Sequence, residues 1–183
     1  MDRPVTKVRR RIFSEKGETS GERAIPAEVA IALTYNGGSY AVMMATPADL
    51  EDFAVGFSIT EGIVALPTDI RSLEIAPETN GIELRMWLSE ADAVRLNERR
   101  RYIAGPTGCG LCGIDSLEQA MRPAAQVPNR ARLAPAQILQ AVASIAPAQE
   151  FNRETRAVHA AAFWHPERGL LALREDVGRH NAL

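Results

Sequence analysis

Long apolar runs are missing from this sequence. No stretch approaches the ~18–20 uninterrupted apolar residues that cross a bilayer, so no membrane span is expected. The N-terminus is basic but has no apolar segment behind it, and so does not read as a secretory leader. Neither sign of charge is in surplus: 21 Lys and Arg against 23 Asp and Glu leave a net charge of -2. That balance gives no reason to expect a nucleic-acid partner. Aromatic residues make up only 5% of the chain, and there are two cysteines and three histidines. Two neighbouring cysteines cannot build a disulfide framework. In a chain expected to be cytoplasmic, and therefore in a reducing compartment, they point to metal binding or thiol chemistry.

What is present is ordinary for a globular protein: 183 residues, 46% hydrophobic and 24% charged. Residues 1–23 are polar and carry Arg3, Lys7, Arg9, Arg10 and Arg11, and read as a flexible basic arm. A second basic run, Arg99 to Arg101, reads as solvated surface. Val29 to Tyr35, Asn36-Gly37-Gly38 and Ser39 to Met44 form a hairpin pattern. Thr46-Pro47 resembles a helix start, with Leu50, Phe53, Ala54 and Phe57 on one face as core residues and Gly62 as the stop. Strands are expected at Arg71–Ala76 and Ile82–Leu88, and a helix over Ser89–Arg100 with Ser89 and Asp92 in a capping pair. A short helix, Ile114–Met121, and a connector over 123–134 follow. Another helix starts at Pro135 with Ile138, Leu139, Val142 and Ile145 inward. Ala157–Trp164 and Leu170–Leu173 read as paired strands. The fold class is mixed α and β. Its expected parts are the arm over 1–23, an N-terminal hairpin and helix portion over 24–100, and a core portion over 101–183. Because Val177 onwards reads as the start of a helix, that core is expected to be incomplete at its C-terminal end.

The loop Gly105-Pro-Thr-Gly-Cys-Gly-Leu-Cys-Gly113 concentrates the chemistry. Four glycines in nine residues leave Cys109 and Cys112 uncrowded and let a large substrate approach the backbone. The loop leads into the helix expected at Ile114, and a helix N-terminus favours thiolate over thiol. Three trades fit. Zinc would need two ligands beyond the cysteines, from His159, His165 and His180. The deaminase template of His-x-Glu followed by Pro-Cys-x-x-Cys fails: His165-Pro-Glu167 comes after the cysteines, and Gly108 replaces the proline. Thiol–disulfide exchange suits the spacing but lacks a thioredoxin-like βαβ pattern around it. Sulfur transfer through a persulfide suits it equally, and local sequence leaves these last two open.

Beyond the loop, Thr34-Tyr-Asn-Gly37, Met43-Met-Ala-Thr-Pro-Ala-Asp-Leu-Glu-Asp-Phe-Ala-Val-Gly-Phe57 and Thr60-Glu-Gly-Ile63 stand out. So do Val158-His-Ala-Ala-Ala162 and Arg174-Glu-Asp-Val-Gly-Arg-His-Asn181. With the cysteine loop, these stretches resemble in order the landmarks of the formate dehydrogenase accessory sulfurtransferases, the FdhD family, from about residue 22 onwards. The resemblance implies a cytidine-deaminase-like core without zinc, and hence no catalytic metal. It implies a homodimer that takes persulfide sulfur from a cysteine desulfurase. That sulfur goes to the molybdenum cofactor (bis-molybdopterin guanine dinucleotide), bound as substrate, for formate dehydrogenase. Carried over, Cys109 is the persulfide carrier and Cys112 its partner thiol.

Two departures stand against it. Arg156 occupies a position where the family usually has glycine, where it could block a backbone approach or supply a phosphate contact. Members also continue past Arg179-His180-Asn181. The resemblance favours Asp176, Arg179 and His180 as cofactor-binding residues over a mere capping and ion-pair network of Glu175, Asp176 and Arg179. His159 reads either as a satisfied core histidine or as lining the site, and Trp87 and Trp164 as core or interface. The alternatives in function are a zinc-binding Cys-x-x-Cys interaction module and an inactive truncated remnant.

Overall fold

The architecture comes from a computed structural model, which describes residues 4–100, 126 and 132–183. The chain divides into two units: Met1–Val29, Met44–Asp49 and Leu133–Leu183 form the first, and Ala30–Met43 with Leu50–Arg132 the second. The division differs from the sequential one expected, because the first unit is assembled from three separated stretches.

In the second unit, β3 (Val29–Tyr35) and β4 (Gly38–Ala45) form the expected hairpin. Asn36 and Gly37 both take positive φ, 48° and 77°, which is what a two-residue turn matched to strand twist requires. The Asn36 side chain then accepts the Leu88 N–H at 2.7 Å, tying the turn to a neighbouring strand. β5 (Ile70–Glu78) and β6 (Gly81–Leu88) complete a sheet of order β4-β3-β6-β5, with β3 parallel to β6 and β5 antiparallel to it. Pairing Leu33 with Leu84 and Tyr35 with Met86 puts these buried side chains on one face. Each fully buried Leu there contributes about 2 kcal/mol.

Helix α1 (Leu50–Thr60) covers that face, burying Leu50, Ala54 and Ser58. The Ser58 hydroxyl lies 2.8 Å from the Tyr35 hydroxyl and donates to the Ala54 carbonyl, so this buried polar pair is satisfied. Beside it Tyr40 meets Phe57 edge-on, and Phe57 packs at a tilt against Phe53. Gly62 (φ 66°) ends the helix as expected. Helix α2 (Glu90–Arg100) starts at the predicted cap, with the Asp92 N–H on the Ser89 hydroxyl and that hydroxyl on the Asp92 carboxylate.

The first unit holds a surprise at its start. β1 (Val5–Ser14) and β2 (Gly17–Pro26) pair over ten residues each, where a flexible arm over 1–23 was expected. The ribbon is almost wholly exposed, so no apolar alternation announced it. Cross-strand charge helps hold it: Arg9 faces Glu22, and Arg11 pairs with Glu18 at 3.4 Å.

The unit continues with α3 (Pro135–Ala148), α4 (Glu150–Thr155), β7 (His159–His165), β8 (Gly169–Asp176) and α5 (Arg179–Ala182). β7 and β8 pair antiparallel as expected. α4 packs on β2, where Arg23 donates to the Thr155 carbonyl at 3.3 Å. α3 packs on β7 and β8, starting at Pro135 as predicted. Its half-buried residues include Ala141, Ser144, Ile145 and Ala148, while Ile138, Leu139 and Val142 are exposed instead of inward. The small side chains face the strands, and periodicity alone could not say which side of the stripe would be covered.

Thr46 does not cap a helix. α1 begins at Leu50, and Asp49 at φ 49° breaks any earlier start. His159 is exposed on β7 and so is not a core histidine. Trp87 is 39% exposed and Trp164 half-buried, so neither is core. The expected helix over Ile114–Met121 lies outside the described residues, as do Arg101 and most of the connector.

Arg156 ends α4 in the left-handed region (φ 51°, ψ 36°), its N–H bonded to the Asn152 carbonyl. A glycine suits that backbone better than a residue with a side chain. A side chain there costs roughly 1–2 kcal/mol, and a glycine loses about 0.5–1 kcal/mol of chain entropy. Arg156→Gly is therefore expected to stabilise the fold by about 0.5–1 kcal/mol in urea denaturation. Gly81→Ala should do the reverse: its Cβ would stand 2.2 Å from the Ala30 carbonyl oxygen. A loss of about 2–3 kcal/mol in the same assay is expected from that overpacking.

Candidate functional site

Cys109 and Cys112 lie outside the described residues. The described part of the candidate site is the end of β8 and the turn after it, with Asp176, Arg179 and His180. All of it belongs to the first unit.

β8 ends in two consecutive buried acids, Glu175 and Asp176. Glu175 accepts the Phe151 and Asn152 N–H groups at 2.8 Å each, capping the otherwise unpaired start of α4. Capping is thus the observed work of Glu175. Asp176 turns to the segment before α1. Its Oδ2 accepts the Thr46 N–H at 2.8 Å, and its Oδ1 accepts the Gly178 N–H at 2.6 Å and the Asn181 amide at 2.9 Å. That amide also donates to the Met44 carbonyl at 3.0 Å, and the Thr46 hydroxyl accepts the Val177 N–H at 3.1 Å. Neither Thr46 nor Asn181 stood out in the sequence as part of a site. Their only signal is membership of two separated motif stretches that this network joins.

Burial pushes the Asp176 carboxyl above the ordinary carboxylate value. The Gly178 and Thr46 N–H groups and the Asn181 amide pull it back down, while the charge of Glu28 pushes it up.

Arg179 and His180 follow as the first residues of α5, and both are exposed. Among the described residues neither side chain has a hydrogen-bond or ion-pair partner. They present donors that an anionic group could take up. Asp176, three residues before Arg179, has both oxygens already engaged, so it shapes the turn from within.

His165 is the last residue of β7, and its Nδ1 accepts the Glu167 N–H at 3.2 Å. Among the described residues no three His, Asp or Glu side chains converge as a metal site would need. No described helix is long and apolar enough to cross a membrane.

The second unit has a depression that sequence reading missed, lined by Thr34, Gly37, Glu74, Glu83, Arg85 and Trp87. Strand alternation puts Glu83, Arg85 and Trp87 on the face opposite Leu84 and Met86. Arg85 is gripped by Glu83 and Glu78 at 2.8 Å and Glu74 at 3.6 Å. That grip raises its already high pKa, the Glu83 hydrogen bond contributing most.

Residues 26–183 match the FdhD/NarQ family. The chain is 49% identical over 178 residues to the sulfur carrier protein FdhD of Agrobacterium fabrum, covering 97% of this chain and 66% of that one. It is 50% identical over 168 residues to the protein of the same name from Brucella abortus, covering 91% and 62%. The chain thus spans somewhat under two thirds of the length of these relatives. Its fold is similar to the crystal structure of a protein from Desulfotalea psychrophila described as a formate dehydrogenase accessory protein. That similarity has a TM-score of 0.66 at 20% identity and covers 98% of this chain and 65% of the other.

The raised carboxyl of Asp176 sets a pH dependence. A proton is held more tightly by the folded chain than by the unfolded one. The stability this confers is complete below the unfolded carboxylate value and is lost as pH rises through the folded value. Wild type should therefore gain stability relative to Asp176→Asn between pH 7 and pH ~4. Urea denaturation of both proteins at the two pH values measures it; a difference moving the other way would overturn the assignment.

Proposed function

The chain belongs to the FdhD/NarQ family, and from that membership we propose that it carries sulfur as a persulfide on Cys109. The observation that supports this best is the glycine-rich loop holding Cys109 and Cys112 inside a family match that runs from residue 26 to residue 183. The names of the relatives agree with it, since they are called sulfur carriers.

The proposed chemistry begins with the Cys109 thiolate attacking the outer sulfur of a cysteine desulfurase persulfide. The S–S bond of the donor breaks, its cysteine leaves as thiolate, and the outer sulfur is now bonded to Cys109. Release follows when the Cys112 thiolate attacks the inner sulfur of Cys109. The outer sulfur departs as hydrosulfide toward the acceptor, and a Cys109–Cys112 disulfide remains. A cellular dithiol reductant reopens it, so electrons and sulfur both balance. The proposed acceptor is the molybdenum cofactor in its bis-molybdopterin guanine dinucleotide form, bound as substrate and destined for formate dehydrogenase. The proposed setting is the reducing cytoplasm, and the proposed assembly a homodimer.

Binding of that substrate is assigned to the turn after β8. Arg179 and His180 are exposed donors without described partners, and they suit the diphosphate of a guanine dinucleotide. Asp176 contributes by holding the turn, since its oxygens are taken by Thr46, Gly178 and Asn181.

Incubation with a cysteine desulfurase and cysteine is expected to add the mass of one sulfur atom to the chain, removable by dithiol. Cys109→Ala should abolish that gain, while Cys112→Ala should keep it and slow its release. Intact-mass spectrometry reads all three. No added sulfur on wild type, or an unchanged load on Cys109→Ala, would sink the proposal. Zinc bound at about one ion per chain in elemental analysis would favour a metal-binding pair instead.

A further inference from the structure

Arg179 and His180 sit between two anchored residues. Gly178 is fixed on one side by its N–H on Asp176, and Asn181 on the other by its amide on Asp176 and Met44. The backbone on both sides of the pair is therefore held, while the two side chains stay exposed. The anchors converge on residues 44–46, where Thr46 is 1% exposed and uses both its N–H and its hydroxyl on the turn.

We propose that Thr46 and Asn181, acting through Asp176, are positioning residues that set Arg179 and His180 for a phosphate-bearing ligand. This rests on the assignment of those two residues to nucleotide binding.

The network has the properties that such a role needs. Its acceptors are one desolvated carboxylate, one hydroxyl and one carbonyl, and each donor has a near-ideal distance, so the turn has little freedom to relax. Gly178 leaves room only for the Asn181 amide: a Cβ on it would stand 2.8 Å from that nitrogen. Docking a diphosphate on a backbone already held avoids the ordering cost that a mobile turn would add. Thr46 and Asn181 themselves have no spare donors directed outward. Both hydrogens of the Asn181 amide go to Asp176 and Met44, and the Thr46 N–H goes to Asp176 while its buried hydroxyl accepts the Val177 N–H.

The test uses the full chain and guanosine diphosphate, the simplest fragment of the proposed substrate, in a calorimetric titration that separates affinity from the number of binding sites. A residue that only supports folding lowers the number of competent sites and leaves the affinity of the folded fraction alone. A positioning residue lowers the affinity itself. Thr46→Val removes the acceptor of the Val177 N–H and should weaken affinity about 5–10-fold with the site number near that of wild type. Thr46→Ser keeps the hydroxyl and should restore affinity to within about twofold of wild type. Asn181→Ala should weaken it by a similar 5–10-fold, and provides the measurement if Thr46→Val does not fold. Arg179→Ala should remove most of the binding. If wild type does not bind the nucleotide, the assignment of Arg179 and His180 falls, and the positioning role with it. If Arg179→Ala loses binding while Thr46→Val and Asn181→Ala keep wild-type affinity, the positioning role alone falls.

Discussion

The first unit depends on how two adjacent carboxylates at the end of β8 are kept out of water. Consecutive strand residues point to opposite faces, so Glu175 and Asp176 serve different neighbours from one place in the chain. Glu175 reaches the start of α4, and Asp176 reaches residues 44–46 and the turn that follows it. Among the described residues neither carboxylate has a cation beside it. Amide donors stabilise both: two on Glu175 and three on Asp176. Hydrogen bonding of this kind offsets part of the desolvation without a second buried charge, and at Asp176 burial still prevails. It also makes the geometry demanding, because each donor removed leaves an oxygen in a poorly solvating setting.

Features written in local chemistry were legible from the amino-acid sequence. The Asn36-Gly37 turn, the Ser89–Asp92 cap and Pro135 at the first helical position each depend on a few adjacent residues, and each stands where it was expected. The β1–β2 ribbon was illegible for the opposite reason. Its strands bury almost nothing, so the alternation that identifies a half-buried strand is absent and only cross-strand pairing defines it. Thr46 misled because a threonine before proline is an equally good helix cap or hydrogen-bond partner. The choice was made by Asp176, 130 residues away. The exposed stripe of α3 belongs to the same class: the period located the stripe, while the small residues beside it decided which side meets the strands.

In the candidate site, residue types were readable and their division of labour was not. The family resemblance groups Asp176, Arg179 and His180 as cofactor contacts. The geometry separates them, since Asp176 is buried and fully engaged while Arg179 and His180 are exposed. No sequence pattern distinguishes a carboxylate that meets a ligand from one that holds the turn presenting it. The hydrogen-bond partners do.

The two arginine settings carry the same point to electrostatics. Arg85 lies in an open depression and looks, by residue type, like an anion site. Three glutamates already surround it, so an incoming phosphate would have to displace carboxylates and meet their repulsion. Arg179 has no such described neighbours, and the nearest acid in sequence, Asp176, is turned inward with its oxygens occupied by amide donors. A guanidinium is available to a ligand in proportion to what it is not already holding. By that measure Arg85 is the poorer candidate for an anion, which supports the proposal made for the turn after β8. The Asp176 oxygens are taken by amide donors, and among the described residues Arg179 has no ion-pair partner.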